Sequence, residues 1–228
     1  MTAADIGVDL FWLPLGAGGH SVRWNGRAYE AACAVLERRA AAELYHSALR
    51  ISLPSGSWTL KMTPVWAVPT DADRGVVAEG AVGLRAAGRS RLFRYEVHCW
   101  RDGVIADLDE AVGGAVRLSN DPGLCRHLLA LLPEVPHPVW GRDELHTGEM
   151  WNSNSVTAWA LTRSGLDVTA VRPPRAGRAP GWRAGVVVAH RERGGVAATG
   201  PPTDAAGTSA SSGCLRAGAA RAPAGPSA

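Results

Sequence analysis

Two segments that lie far apart in the chain carry the residue types of a nucleophile and its base. His46 stands near the start of an alternating run, and Ser153 stands in Asn152-Ser153-Asn154-Ser155-Val156, where a helical pattern begins. A nucleophile at the start of a helix gains from the positive end of the helix dipole, which stabilises an anionic nucleophile or oxyanion. A histidine on an adjoining strand can act as its general base. The pair therefore predicts acyl chemistry on an amide, ester or thioester bond.

The order of these two motifs resembles the circularly permuted branch of the NlpC/P60-like papain superfamily. In that branch a histidine strand and a hairpin precede an Asn-Cys pair that opens an apolar helix. Tyr45-His46-Ser47-Ala48-Leu49 is similar to the histidine strand, and Asn152-Ser153 stands where the Asn-Cys pair is expected. The resemblance covers residues 44–166. It implies a permuted papain-like fold, with His46 as base, Ser153 as nucleophile and Asn152 beside it.

The chain departs from that family at the nucleophile, because Ser153 replaces cysteine. A hydroxyl has a far higher pKa than a thiol, so serine hydrolases add an orienting acid and a preorganised oxyanion hole. The third polar residue of the family normally lies on the following strand, where this chain has Lys61 and Thr63, and neither matches well. His98, on the third strand of this region, is the candidate substitute.

Each of these residues also has a purely structural interpretation. Ser153 could cap the predicted helix, a role worth about 1 kcal/mol. His46 could be an ordinary core or surface histidine, and His98 could simply pack beside Trp100. Three classes of function therefore stay open: a hydrolase or acyl-transfer enzyme, a catalytically inactive relative that binds a small-molecule, peptide or lipid-like ligand, and a structural or interaction protein.

The elements that must position these residues follow from periodicity and turn residues. Strands are predicted at Val8–Leu15, Leu44–Leu53, Trp58–Val65, Leu92–Trp100, Val104–Leu108 and Trp182–Val188. Three helices are predicted. The first spans Asn25–Arg39, and the third runs from a Ser153 or Asn154 cap to Arg163. The second begins after an Asp121 N-cap, and its apolar stripe consists of Leu124, His127, Leu128, Leu131 and Leu132. Because strands and helices cluster rather than alternate, we expect an α+β fold with an antiparallel sheet and packed helices.

Composition bounds the organisation of the 228 residues. One domain is expected over residues 1–188, followed by a Gly/Ala/Pro/Ser-rich tail over residues 189–228 that is predicted to be disordered. Eight Arg and two acidic residues from Arg172 onward give +6, which leaves −3 for the first 171 residues of a chain with net charge +3. A slightly acidic body argues against a nucleic-acid-binding surface.

The usual motifs for metals and cofactors are missing from the sequence, so neither is predicted. The four cysteines form no CxxC, no HExxH occurs, and the glycines at 16–19 match no nucleotide-binding loop. A carboxylate–histidine metal site built from His137, His146, Asp143, Glu144 and Glu149 is the weaker alternative.

Four scattered cysteines and an N-terminus unlike a signal peptide favour a cytoplasmic protein. No run approaches the roughly 20 apolar residues of a membrane span. The chain has nine Trp and only two Phe, a composition that is compatible with an aromatic cleft for an apolar or acyl ligand. The residues expected to form the core or the walls of such a cleft are Trp66, Trp140, Trp151 and Trp159.

Overall fold

The computed structural model describes residues 6–15, 38, 40–65, 75–105 and 108–198. In these ranges the strands are β1 (Gly7–Pro14), β2 (Tyr45–Leu53), β3 (Gly56–Pro64), β4 (Val76–Ala81), β5 (Arg94–Arg101) and β6 (Ala115–Ser119). The α-helices are α1 (Pro122–Leu131), α2 (Ser153–Arg163) and α3 (Trp182–Ala198). No helix in this part of the chain is long and apolar enough to cross a bilayer.

The six strands form one sheet in the order β4-β5-β3-β2-β1-β6, and every neighbouring pair is antiparallel. β2 and β3 form the predicted hairpin, with Leu53 paired to Gly56 across a Pro54-Ser55 turn. The α+β class with an antiparallel sheet is therefore confirmed. The predicted Asp121 cap is also observed, since its side chain accepts a hydrogen bond from Gly123 N and Pro122 begins α1.

Side chains of the sheet alternate between two faces. One face, the helix face, carries Leu10, Leu49 and Leu60 into a core shared with α1, α2 and α3. The opposite face carries a smaller apolar cluster of Phe11, Leu13, Ala48 and Ile105. Trp151 and Trp159 are buried in the main core, so these two are core residues rather than cleft walls, while Trp66 lies outside the described residues.

The central helix is α2, in which every residue from Asn154 to Thr162 is buried. It packs closely against α3 at Gly185. A Cβ added to Gly185 would lie 2.1 Å from Ser155 O and 2.8 Å from Trp159 N. The absence of a side chain at position 185 therefore sets how near the two helix backbones come.

The prediction of a strand at Trp182–Val188 is wrong, because these residues begin α3. The β-branched run at positions 186–188 favours a strand locally. Ala184, Gly185, Val188 and Ala189 are nevertheless buried at helical spacing, and packing against α2 overrides the local preference. Helical structure thus continues past the predicted domain end at Val188, while residues 199–228 lie outside the described residues.

Other sequence predictions need correction at the edges of the sheet. β4 and β6 were not expected, because short Gly- and Ala-containing edge strands carry little periodicity. Val104 is exposed and belongs to no strand, and Leu108 starts a 3₁₀ turn, so the proposed Val104–Leu108 strand is wrong. On α1 His127 is exposed and Cys125 takes its place in the buried stripe. Apart from Arg38, the predicted helix Asn25–Arg39 lies outside the described residues.

The α2–α3 contact gives a prediction with a matched control on the same helix. We expect Gly185→Ala to lower the free energy of unfolding by about 1–3 kcal/mol through overpacking against α2. Gly194→Ala, where an added Cβ meets no atom within 4 Å, should be neutral or stabilising by up to about 1 kcal/mol, because alanine is the better helix former. Urea denaturation of both variants measures the difference. Equal effects at the two positions would contradict the close packing at Gly185.

Candidate functional site

The N-terminus of α2 is held by a reciprocal cap in which Asn152 is the central residue. Asn152 Oδ1 accepts hydrogen bonds from Asn154 N (2.9 Å) and Ser155 N (3.3 Å). In return Asn152 N donates to Ser155 Oγ (3.0 Å), which completes a capping box. The prediction that Ser153 or Asn154 caps this helix is therefore wrong, and Ser153 is instead its first helical residue.

Asn154 joins α2 to the sheet through its buried side-chain amide. Its Nδ2 donates to Tyr45 O and to Pro180 O, both at 2.9 Å, and its Oδ1 accepts from Ser47 Oγ at 2.9 Å. Sequence reasoning considered Asn154 only as a possible helix cap and missed this role. One side chain thereby links β2, α2 and the segment before α3.

These bonds lie where β2 and β3 separate. The β2–β3 pairing runs from Leu53↔Gly56 only to Leu49↔Leu60, beyond which β3 continues to pair with β5 and β2 with β1. The N–H and C=O of a strand residue point to the same edge. At Tyr45 the N–H donates to Arg178 O (2.8 Å) and the C=O accepts from Asn154. The start of α2 and Arg178 thus occupy the free edge of β2, a region that we call the β2–β3 fork.

His46 and Ser153 approach this fork from elements that touch each other. Asn154, next to Ser153, bonds to Tyr45 and Ser47 on either side of His46. Both candidate residues are partly buried. His46 pairs with Leu13, however, so its side chain leaves β2 on the opposite face, whereas that of Ser47 points to α2. Both residues are described, and no hydrogen bond joins them.

His98 belongs to a different group on the opposite face of the sheet. Its Nε2 lies 2.9 Å from Glu96 Oε2, and both side chains are at least 95% buried. The β3–β5 register sets Lys61 beside His98 and Thr63 beside Glu96. The structure therefore brings together His98, Lys61 and Thr63, which the sequence considered singly. Glu96 was missed, although Glu and His two residues apart on a strand share a face.

The pairing with Glu96 fixes the His98 ring, which also packs edge-on to Trp100 at 5.6 Å between ring centroids. The expected contact between His98 and Trp100 is thus present. β3 separates β5 from β2 in the sheet, which places His98 about 10 Å from the β2 backbone at the usual strand spacing.

The acidic residues of the loop before α2 accept hydrogen bonds from backbone N–H groups. Asp143 accepts from Thr147 N (2.7 Å) and Gly148 N (2.9 Å), and Glu149 accepts from Gly181 N (2.9 Å). Glu144 accepts from Val139 N (2.9 Å) and pairs with Arg85. In the part of the chain that the structure describes, no group of three or more His, Cys, Asp or Glu could hold a metal ion.

Comparison of the chain with protein-family models, with curated proteins and with solved structures finds no match in any of the three. The papain-like resemblance therefore rests on the two motifs and their order along the chain.

The Asn154 side chain gives a testable energetic prediction. We expect Asn154→Ala to reduce the free energy of unfolding by about 1–3 kcal/mol, because it leaves the buried Tyr45 carbonyl without its side-chain donor, while Pro180 O keeps its bond from Asn152 Nδ2. Ser47→Ala should cost about 1 kcal/mol alone and almost nothing in the Asn154→Ala background, because the shared bond is already lost. Denaturant titration of both single variants and the double variant measures this coupling. Additive effects would show that the Ser47–Asn154 bond contributes nothing.

The loop before α2 predicts a stability change in acid. The backbone N–H of Thr147 holds the pKa of Asp143 below its ordinary 3.8, and the N–H of Val139 holds that of Glu144 below 4.5. A depressed folded-state pKa gives stability that is present above the unfolded value and lost as pH falls through the folded value. We therefore expect stability to fall below about pH 4. Urea midpoints across this range should vary less in Asp143→Asn; an unchanged pH profile would contradict the assignment.

Proposed function

We propose that this chain is a binding protein with a papain-like arrangement, in which the start of α2 joins structural elements and does not catalyse acyl transfer. The proposal is based on the hydrogen bonds made by the backbone N–H groups at the start of α2. Asn154 N and Ser155 N, two of the donors at the start of α2 that could stabilise an oxyanion near Ser153, are both bound by Asn152 Oδ1. An oxyanion hole requires donors that are free to meet the developing charge.

The position of His46 supports the same proposal. A general base must reach the proton it removes, directly or through one water. The side chain of His46 leaves β2 on the face of Leu13, away from the face on which Ser47 meets α2. Asn154 binds the backbone C=O of Tyr45 and the side-chain hydroxyl of Ser47, the two neighbours of His46, so this direction is fixed by the same bonds that position α2. A serine nucleophile depends on its base more than a cysteine does, since its hydroxyl stays protonated at neutral pH.

A hydrolase or acyl-transfer enzyme is the second candidate, and one observation favours it. Asn152, Asn154 and Ser155 each have side-chain partners, whereas no hydrogen bond in the described residues involves the Ser153 hydroxyl. Ser153 is therefore not explained by capping. In this alternative His46 would take the proton from Ser153 Oγ as that oxygen attacks the acyl carbon, and would return it to the leaving group.

Reactivity at position 153 separates the two proposals. We expect a fluorophosphonate probe to leave Ser153 unlabelled. We also expect Ser153→Cys to react with iodoacetamide at the rate of an ordinary exposed thiol, unchanged by His46→Ala. Alkylation of the wild-type protein gives the background rate from its own cysteines. Burial raises the pKa of Cys99 to about 11 and also raises the pKa of Cys125, so both thiols react slowly. Probe labelling of Ser153, or fast alkylation that His46→Ala slows, would establish the enzyme instead.

Stability measurements complete this comparison. Ser153→Ala should change the free energy of unfolding by no more than about 0.5 kcal/mol, because the hydroxyl has no structural partner. Asn152→Ala should cost about 1 kcal/mol or more through the lost cap. If Ser153→Ala proved the more damaging of the two, Ser153 would have a structural role that the hydrogen bonds do not include.

A further inference from the structure

The connection between β4 and β5 presents large apolar side chains to solvent. Residues 83–93 of this connection contain two short 3₁₀ turns, and together with Arg94, the first residue of β5, we call them the arginine excursion. Leu84 and Leu92 are each 61% exposed and Phe93 is 46% exposed. Val82 N donates to Phe93 O (2.8 Å), so the two ends of the excursion lie side by side. The three side chains therefore belong to one region of the surface, and such a cluster marks a contact site.

The same segment is strongly cationic. It contains Arg85, Arg89, Arg91 and Arg94 and no acidic residue. Arg85 is paired with Glu144 and Arg94 with Glu79. Arg89 and Arg91 are exposed, and neither forms an ion pair within the described residues. Two cationic side chains thus remain available next to the exposed apolar ones.

An open cavity of about 370 Å³ lies against the excursion. Three of its arginines, Arg85, Arg89 and Arg94, line this cavity together with His137, and Glu79 is the one acidic lining residue. A planar guanidinium binds phosphate oxygens through two parallel hydrogen bonds. Arg89 is the lining arginine that has no ion pair within the described residues, so it is the one that the cavity offers to a phosphate-bearing headgroup.

We infer that the arginine excursion is a membrane-contact surface for an anionic bilayer. Leu84, Leu92 and Phe93 would enter the boundary between headgroups and acyl chains, and the arginines would bind lipid phosphates. Peripheral membrane binding adds apolar burial to attraction by anionic lipids, and this segment supplies both within twelve residues. The inference rests on the proposed binding function, since it names what is bound, but it involves neither Ser153 nor His46.

Vesicle co-sedimentation of the full chain tests this surface. We expect binding to phosphatidylcholine vesicles containing about 30% phosphatidylglycerol, little binding to pure phosphatidylcholine, and weakening by salt. Leu84→Ser/Leu92→Ser/Phe93→Ser and Arg89→Glu/Arg91→Glu should each reduce binding at least about tenfold. The matched controls are Val104→Ser/Val116→Ser and Arg172→Glu, which change exposed residues elsewhere and should bind like wild type. Circular dichroism checks that each variant is folded.

Four outcomes would overturn the inference. Equal binding to neutral and anionic vesicles, or binding of the excursion variants at the wild-type level, would show that the arginine excursion is not the membrane-contact surface. Displacement from vesicles by millimolar inorganic phosphate would point to a free phosphate ligand in the cavity. Binding of a poly-glutamate peptide that needs the arginines but not the apolar side chains would identify an acidic protein partner. The reactivity of Ser153 is measured without lipid, so failure of the vesicle test and failure of the proposed function remain distinguishable.

Discussion

The buried amide of Asn154 is the contact on which the arrangement of this protein depends. It supplies the donors for Tyr45 O and Pro180 O and accepts from Ser47, and so connects the sheet, the central helix and the approach to α3. β2 has no β3 partner at this point, so without Asn154 the C=O of Tyr45 would lack its side-chain donor. A buried unpaired carbonyl costs more than a hydrogen bond normally contributes. The separation of β2 from β3 and the position of α2 are therefore one structural feature.

This use of polar groups sets what the region can do chemically. A helix start is suited to anions because its first N–H groups lack partners. Here Asn152 binds two of those N–H groups, and Ser155 Oγ both accepts from Asn152 N and donates to Gly181 O. Two donors that could make a nucleophile site reactive instead hold the helix in place. Ser153 is the exception, and for that reason its hydroxyl decides between the two proposed functions.

The parts of the structure that were predictable are those governed by local rules. Alternation identified β2 and β3, and the Asp121-Pro122 signal identified the start of α1. The errors occur where distant contacts decide. Three consecutive valines indicate a strand, yet α3 is helical because Gly185 lets it pack on α2. The sequence indicated that His46 and the start of α2 would be neighbours, but the direction of the His46 side chain depends on its register with β1, which the sequence leaves open.

The burial of α2 explains why so many specific contacts surround it. An amphipathic helix is oriented by its apolar stripe, but a helix buried on every side has no such preference. α2 is buried from Asn154 to Thr162, so its rotation must be set by directional bonds. Asn154 supplies these at the start of α2, and near its middle Trp159 Nε1 donates to Glu192 Oε2 (2.8 Å) on α3. Between them Gly185 admits a single close approach of the two backbones. The polar bonds of Asn154 and Trp159 and the close approach at Gly185 between them thereby fix the one orientation in which Asn154 reaches the edge of β2.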